Sequence, residues 1–225
     1  GGAAEFIAVP ARNLVAKPES LDWTEAAALS IPFLTAWTMV RRRANVQSGE
    51  TVLVQAGGSG VGVAAIQMCQ LLGAKVIATA GSPAKLQRLR DLGADHVINY
   101  KTQDVVGEVR NVVGKKGVDC IVDHVGSDTF TINQRVLSWG GRMVLCGATT
   151  GHKVELDLRH LFFKSQSVLG STMGSMNDFR EVIDLVGKGL IGPVIDSIYA
   201  LEDIADAQRY LEERKAFGKV VLRVN

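Results

Sequence analysis

The sequence predicts an α/β fold in which a mainly parallel sheet is covered by helices on both faces. Short β-branched runs such as Thr51–Val54 alternate with segments of helical length, which is the pattern of consecutive strand–helix–strand crossovers. A glycine-rich turn, Gly57–Gly62, joins one of these strands to the next helix. Ligands of such sheets bind beyond the carboxyl ends of the strands, so functional residues are expected there.

The hydrophobic pattern and the helix-starting residues assign the elements in order. Strands are predicted at Thr51–Val54, Lys75–Thr79, His96–Asn99, Val118–Asp123 and Arg142–Cys146. Helices are predicted at Val63–Leu72, Pro83–Leu92 and Val105–Val113, and a fourth is capped by Ser127 or Asp128 and ended by Gly140 and Gly141. A further helix and a sixth strand, at the sheet edge, are expected within Val154–Gly170.

The flanking segments predict parts of a second domain. The chain has no initiator Met, and residues 1–10 form a strand-like segment, so a longer parent protein is expected. Asp22 and Glu25 form a capping box for a helix over Trp23–Ser30, which Pro32 should interrupt. An amphipathic helix from Tyr199 and a closing strand at Lys219–Val224 end the chain. We therefore divide it into residues 1–22, a dinucleotide-binding domain at 23–197, and residues 198–225.

Composition excludes several classes of function. The 225 residues include 25 basic and 23 acidic ones, so the net charge of +2 provides no footprint for nucleic acid. No apolar stretch approaches the ~18 residues of a membrane span. Cys69, Cys120 and Cys146 are widely spaced and predict core packing in a reducing cytoplasm. The four histidines show no ligand spacing, so no metal site is expected from this chain.

The glycine turn carries the chemistry of a dinucleotide site. Gly57 is predicted to permit the tight turn, and Gly62 to let the helix pack closely on the strand. Ser59 replaces the middle glycine of the fingerprint, and its hydroxyl adds a donor. Gly58, Gly60 and Val61 complete the loop, whose amides and helix dipole favour a diphosphate. An ordinary strand–helix turn is the alternative.

Motifs along nearly the whole chain carry a family resemblance. They include Ala26-Ala27-Ala28-Leu29, Phe33-Leu-Thr-Ala-Trp37, Gly49-Glu50-Thr51-Val52-Leu53-Val54, Gly93-Ala94-Asp95, Gly117-Val118-Asp119 and Gly218-Lys219-Val220-Val221. In this order they resemble the medium-chain dehydrogenase/reductase superfamily, nearest its quinone-oxidoreductase-like and alcohol-dehydrogenase-like branch. The resemblance implies a Rossmann coenzyme domain, with terminal segments left from a GroES-like substrate domain that is otherwise missing.

The end of the second predicted strand indicates the coenzyme. NAD specificity usually places a carboxylate there to bind the ribose, but this strand ends Thr79-Ala80-Gly81-Ser82. Ser82 can donate a hydrogen bond to a 2′-phosphate, and Lys85 adds positive charge. NADP(H) is therefore predicted, and NAD(H) is less expected. A solvated helix lysine is an equally good interpretation of Lys85.

The resemblance implies further cofactor contacts. Val125 and Gly126 would flank the adenosine and ribose, and Gly147 and Ala148 would lie near the nicotinamide, as would the loop containing Ser171. Thr35 would pack on the nicotinamide, unless it is a helix-core residue, and Lys219 would meet the coenzyme from the other side, unless it is a solvated strand-edge lysine. Catalytic residues stay unassigned, and adenosine-side packing is favoured for His124 over acid catalysis.

The resemblance also implies a zinc-independent enzyme, because Ile31 stands where zinc-dependent members have a cysteine ligand. The expected activity is hydride transfer between NADP(H) and a quinone, activated alkene, carbonyl or alcohol. A truncated module that binds coenzyme without turnover is the main alternative, and a scaffold role is a weaker one. Pairing of sixth strands would give a homodimer or a higher homo-oligomer.

Overall fold

A single sheet of six parallel strands organises the chain. The computed structural model describes residues 2–224, so the outer limits of the predicted domains, Gly1 and Asn225, lie outside the described residues. The strands are Thr51–Val54 (β1), Lys75–Ala80 (β2), His96–Asn99 (β3), Val118–Asp123 (β4), Leu137–Leu145 (β5) and Ser167–Gly170 (β6). Their order is β3-β2-β1-β4-β5-β6. This is the strand order of a Rossmann fold, and it confirms the predicted fold class.

Helices cover both faces of this sheet. They are Trp23–Trp37 (α1), Gly60–Leu71 (α2), Pro83–Asp91 (α3), Val105–Val113 (α4), Ser127–Val136 (α5), Leu158–Phe163 (α6) and Met176–Gly187 (α7). Val52 and Val54 pack in one apolar core with residues of α1, α2, α3 and α7, whereas Leu53 packs in a second core with α4 and α5. Successive strand residues point to opposite faces, so one strand serves both cores.

A second, two-stranded sheet follows α7. Ile195–Ala200 (β7) and Lys219–Arg223 (β8) pair in parallel, and the helix Ile204–Glu212 (α8) lies between them in the chain. The sequence predicted neither α7 nor β7, and it began the last helix at Tyr199, which instead belongs to β7. The residues of β7 are mostly half-buried and mix polar with apolar side chains, so their pattern is weak.

Pro32 does not interrupt the first helix, so this prediction is wrong. α1 continues through Pro32 to Trp37, and a π-helical turn extends it over Thr38–Arg43. A proline inside a helix removes one backbone hydrogen bond and costs about 3 kcal/mol. The flanking side chains of Leu29, Phe33 and Trp37 are buried in the core. Their burial outweighs this local penalty.

The glycine pair at 140 and 141 does not end α5, and neither Ser127 nor Asp128 caps it. The helix ends at Val136, and both glycines lie within β5. Gly126 occupies the N-cap position with a φ of 97°, while the Ser127 hydroxyl donates to the Thr150 carbonyl. Tertiary pairing of β5 with β4 therefore overrides the glycine signal.

The terminal predictions have mixed outcomes. The capping box is confirmed: Asp22 Oδ1 accepts from the Glu25 amide at 2.7 Å, and Glu25 Oε2 accepts from the Asp22 amide at 2.9 Å. The predicted strand-like start forms no strand over the described residues 2–10. Within residues 2–224, no helix combines the length and apolarity that a bilayer crossing requires.

Candidate functional site

The turn between β1 and α2 brings the chain back on itself at the carboxyl edge of the sheet. A Cβ added at Gly62 would lie 2.7 Å from the Ala56 oxygen and from the Gly57 Cα and oxygen. The left-handed residue of the turn is Ala56, with a φ of 49°, rather than Gly57. Gly57 instead lacks a side chain where Leu89 and Ala78 pack against it. The predicted role of Gly62 in close packing therefore agrees with the geometry. The left-handed conformation that allows the tight turn is adopted by Ala56 and not, as predicted, by Gly57.

Ser59 is the N-cap of α2. Its hydroxyl oxygen accepts a hydrogen bond from the Gly62 amide at 2.9 Å, and its proton remains available as a donor. The amides of Gly60 and Val61, in the first turn, have no intrahelical acceptor by their position. These groups and the helix dipole make the start of α2 suitable for an anionic group.

The segment before β8 lies against this turn. The Gly218 amide donates to the Gly58 oxygen at 2.8 Å, and the Phe217 ring packs where a Cβ on Gly58 would be 2.9 Å away. The aliphatic stem of Lys219 lies beside Gly60, where an added Cβ would be 2.9 Å from Lys219 Cδ. Gly218 and Lys219 therefore lie against the glycine loop, and contact of Lys219 with a coenzyme stays a prediction.

The end of β2 has basic and hydroxyl groups around it. Ser82 caps α3 by accepting from the Lys85 amide at 3.4 Å. Tyr100 and Lys101 cover Gly81, since a Cβ there would lie 2.5 Å from the Tyr100 hydroxyl and 3.1 Å from Lys101 Cε. Tyr100 and Lys101 directly follow β3, and their sequence indicates either a polar loop near the adenine or a surface loop.

Lys85 is tied to the segment before β8. Its Nζ donates to the carbonyl oxygens of Arg214 and Ala216, both at 2.7 Å. Burial lowers the pKa of Lys85 below its ordinary value, the cations of Arg88 and Lys101 act in the same direction, and Asp196 opposes them. An ammonium has three donors, so one N–H of Lys85 remains for a further acceptor.

The loops after β4 and β5 meet at the same edge. Gly126 has a φ of 97°, and a Cβ there would lie 2.5 Å from the Gly151 oxygen and 2.9 Å from Ala148 Cα. A Cβ added at Gly147 would lie 3.2 Å from the His124 oxygen. The Val125 amide donates to the buried Asp123 carboxylate at 2.6 Å. The predicted positions 125, 126, 147 and 148 therefore lie together.

Thr35 and the loop after β6 form the last part of the edge. Thr35 is buried, and its hydroxyl lies 3.9 Å from the Met173 sulfur. The Ser171 amide donates to the Leu145 oxygen at 2.8 Å. The Ser171 hydroxyl is buried and has no hydrogen-bond partner among residues 2–224. The structure thus brings Thr35 and Ser171 to one region, on the β5–β6 side of the sheet.

Two titratable groups near these loops are held neutral. Burial lowers the pKa of His124 from its ordinary value, against the opposing charge of Asp123. Burial, followed by the Asp123 charge, raises the pKa of Cys146 to about 11. At pH 7, His124 is therefore an unprotonated imidazole and Cys146 a thiol, so neither is prepared to act as a general acid or a thiolate nucleophile.

The residues that the structure describes do not provide a cluster of side chains that could bind zinc. Between residues 2 and 224, no three His, Cys, Asp or Glu side chains cluster as metal ligands would. Ile31 is 59% exposed and offers no donor atom. Two open cavities, of about 340 and 350 Å³, lie at the opposite, amino edge of the strands. Their lining includes Thr51, Gly117 and Leu137, so they are separate from the glycine loop.

Comparisons with known proteins agree with this geometry. The profile of the zinc-binding dehydrogenase family matches residues 60–188. Quinone oxidoreductase from Homo sapiens is 31% identical over 99% of this chain and 69% of its own length. The crystal structure of an NAD-dependent alcohol dehydrogenase has a TM-score of 0.95 and 45% identity, over 100% of this chain and 66% of that one.

A further solved structure includes a coenzyme. The 2-octenoyl-CoA carboxylase reductase CinF, in complex with NADP and 2-octenoyl-CoA, has a TM-score of 0.84 and 29% identity, over 92% of this chain and 51% of that one. The present chain spans about two thirds of the length of the human relative and of the alcohol dehydrogenase.

Proposed function

Because this chain belongs to the medium-chain dehydrogenase/reductase superfamily, with quinone oxidoreductases and alcohol dehydrogenases among its relatives, we propose that it is the coenzyme-binding part of a zinc-independent NADP(H) oxidoreductase. The observation that carries the proposal is that three loops share one edge of the sheet. At this edge Gly62 allows the backbone at the start of α2 to approach the backbone of the turn closely, and the loops after β4 and β5 meet there as well. Such an edge, at the reversal of strand order, is where dinucleotides bind.

Individual groups have distinct roles in this proposal. The amides of Gly60 and Val61 and the Ser59 hydroxyl would hold the diphosphate, with Lys219 beside the loop. Val125 and Gly126 would flank the adenosine and ribose, and Gly147 and Ala148 would lie near the nicotinamide, with Thr35 and Ser171 beyond them. When bound, the coenzyme would supply the redox chemistry: its reduced nicotinamide would donate hydride to a quinone, activated alkene or carbonyl, and its oxidised nicotinamide would accept hydride from an alcohol.

Protein groups would then orient the coenzyme and exclude water. Ile31 supports zinc independence, because no ligand atom exists at this position of α1. The free state of Cys69, Cys120 and Cys146 supports a reducing cytoplasmic location. Small-molecule substrates are proposed, and binding of coenzyme without turnover is the alternative for a chain of this length.

The test is fluorescence titration with NADPH and NADH, followed by turnover assays with quinones, enals and alcohols. NADPH binding accompanied by turnover supports the whole proposal. Coenzyme binding without turnover favours the isolated binding module. Failure to bind either coenzyme contradicts the proposed site.

NADPH preference rests on the end of β2. Residues 79–82 contain no carboxylate, and Ser82, Lys85 and Lys101 place hydroxyl and ammonium groups there. NAD(H) is the second candidate, because two donors of Lys85 already bind the carbonyls of Arg214 and Ala216. The 45% identical alcohol dehydrogenase, itself NAD-dependent, also favours this candidate.

Lys85→Ala should weaken NADPH binding by a factor of about ten or more while changing NADH binding much less, since a charge-assisted hydrogen bond contributes about 1.5–3 kcal/mol. Titrations of both coenzymes measure the effect. Lys75→Ala is the matched control, because Lys75 is exposed at the amino end of β2, whereas Lys85 lies in α3, beyond the carboxyl end of that strand. Equal losses for NADPH and NADH would contradict the assignment.

We also propose that two copies pair through β6, which lies at the sheet edge. Beside this edge, the rings of Trp139 and Phe163 contact each other in a tilted arrangement, with centroids 5.8 Å apart, and both are about two thirds exposed. Phe162 and Leu158 extend the exposed apolar surface. Unpaired edges and apolar patches of this kind favour self-association.

Sedimentation velocity at micromolar concentration should show a dimer for the unmodified chain and a monomer for Phe163→Asp, because a charge would be buried in the interface. Phe6→Asp is the control, since Phe6 is 91% exposed and precedes α1. A monomer at every concentration, without any substitution, would refute the proposed pairing.

A further inference from the structure

A chain of buried hydrogen bonds runs beneath the carboxyl edge of the sheet. Asn133 Nδ2 donates to Asp123 Oδ2 at 2.7 Å, and Gln55 Nε2 donates to Asn133 Oδ1 at 2.7 Å. The Thr79 hydroxyl donates to Gln55 Oε1 at 2.8 Å and accepts from the Ala56 amide at 3.0 Å. Asp123, Asn133, Gln55 and Thr79 are each at most 2% exposed. Protein groups alone therefore satisfy these polar atoms.

The donor-to-acceptor direction of these hydrogen bonds is fixed at both ends of the network. The Asp123 carboxylate accepts two further hydrogen bonds, from the Val125 amide and the Thr129 hydroxyl, both at 2.6 Å. A carboxylate with three such partners acts only as an acceptor, and the backbone amide of Ala56 acts only as a donor. The side-chain amides of Asn133 and Gln55 between them therefore have one orientation each.

The two ends lie in two different parts of the proposed coenzyme site. At one end, Ala56 begins the glycine loop in a left-handed conformation, with a φ of 49°. This conformation is unfavourable for a residue with a Cβ, so it needs support from its surroundings. At the other end, Val125 precedes Gly126 in the loop between β4 and α5. The hydrogen-bond chain thus links the diphosphate side of the site to the loop that would flank the adenosine and ribose.

We propose that Gln55, Thr79 and Asn133 are positioning residues, which set the glycine loop and the Val125 loop at a fixed spacing from Asp123. They act through the backbones of Ala56 and Val125. This inference rests on the proposed function, because the loops are those of the same coenzyme site. The diphosphate is common to NADPH and NADH, so the positioning serves both coenzymes equally.

Thr79→Val tests the proposal, because valine has nearly the shape of threonine but leaves the Ala56 amide and Gln55 Oε1 without partners. Binding of NADPH and of NADH should each weaken about tenfold, as expected when a buried donor loses its acceptor. Thr79→Ser retains the hydroxyl and should restore both affinities. Ser138→Ala is the control: it removes a buried hydroxyl at the start of β5, the amino end of the sheet, and should leave both affinities unchanged.

Amide hydrogen exchange at Ala56 supplies a second measurement that does not depend on coenzyme. Exchange should be slow in the unmodified protein and in Thr79→Ser, and at least tenfold faster in Thr79→Val, because the amide loses its acceptor. If Thr79→Val does not fold, Gln55→Met interrupts the same chain with a side chain of similar length, and the same results are expected.

Three results would overturn the inference. They are unchanged affinity for both coenzymes in a folded Thr79→Val, a loss confined to NADPH, and an Ala56 amide that exchanges as fast as solvent-exposed amides in the unmodified protein. If the unmodified protein binds neither coenzyme but the Ala56 amide is protected as expected, the proposed function fails while the hydrogen-bond chain itself stands. The two failures are therefore distinguishable.

Discussion

Gly62→Ala should abolish measurable coenzyme binding and lower the free energy of unfolding by about 2–3 kcal/mol, as expected for overpacking against rigid groups. The added Cβ would lie 2.7 Å from the Ala56 oxygen and from two backbone atoms of Gly57. Backbone atoms at the turn cannot rotate away, so α2 would have to move off β1. The amides at the start of α2 would then lose their place at the sheet edge. Fluorescence titration and chemical denaturation measure the two effects.

Two alanine substitutions serve as controls. The Cβ of Gly60→Ala, in the same loop, would lie 2.9 Å from Lys219 Cδ, in a flexible side chain that can move aside, so the unfolding free energy should change by less than about 1 kcal/mol. Gly192→Ala has no atom within 4 Å of the added Cβ and should bind coenzyme as the unmodified protein does. A stable Gly62→Ala variant with unchanged NADPH affinity would show that the close packing has no role in the site.

Local sequence signals predict the sheet core well. The structure has β1, β3 and β4 at the predicted residues, and β2 is one residue longer. These strands combine β-branched residues with clear turn signals on both sides, so local preference and burial agree. The predictions that Pro32 interrupts α1 and that Gly140 ends α5 are wrong. There, packing of α1 and pairing of β5 oppose the local preference, and long-range contacts decide the outcome.

The site was only partly predictable for a similar reason. The glycine loop follows from residue types at fixed spacing. The positions after β4 and β5 follow from the carboxyl ends of the predicted strands, and their coenzyme contacts are implied only by the family resemblance. The partners of Lys85 do not, because Arg214 and Ala216 are 129 and 131 residues away along the chain. The left-handed Ala56 also gave no signal, since alanine rarely adopts this conformation. Folding brings such groups together without any local pattern.

Asp196→Ala should lower the free energy of unfolding by about 2 kcal/mol, because it leaves several donors without their acceptor. Asp196 accepts from Arg88 at 2.8 Å, from the Tyr210 hydroxyl at 2.8 Å and from the Phe217 amide at 3.1 Å. Partial exposure of Arg88 reduces the contribution of the ion pair. Because Phe217 packs on Gly58, coenzyme binding should weaken as well.

Denaturation and coenzyme titration of Asp196→Ala measure both effects. Asp203→Ala is the matched control, since Asp203 is an exposed aspartate a few residues after β7, the strand that contains Asp196. Loss of stability with unchanged coenzyme affinity would mean that the segment before β8 does not support the glycine loop. An unchanged stability would contradict the structural role itself.

The same carboxylate gives stability a dependence on pH. Burial acts to raise the pKa of Asp196, but hydrogen bonds from Arg88, Tyr210 and the Phe217 amide outweigh it, so the pKa lies below its ordinary value. Asp178 behaves alike, through Ser175 and Arg42. A carboxyl whose pKa is lower when folded contributes stability above its unfolded pKa of about 3.9 and loses it as pH falls through the folded pKa.

Unfolding free energy should therefore fall as the pH drops from about 4 towards the lower pKa of the folded state, because over this range these carboxylates bind more protons in the unfolded than in the folded state. Asp196→Asn should flatten this fall, because asparagine does not titrate, and it should be less stable than the unmodified chain near pH 7. Asp203→Asn should retain the full dependence of the unfolding free energy on pH.

Protonation of Asp196 should also loosen the packing of Phe217 on the glycine loop, because Arg88 lies over the Phe217 ring, with 4.2 Å from its guanidinium carbon to the ring centroid. Coenzyme affinity should then weaken over the same pH range, and less so in Asp196→Asn.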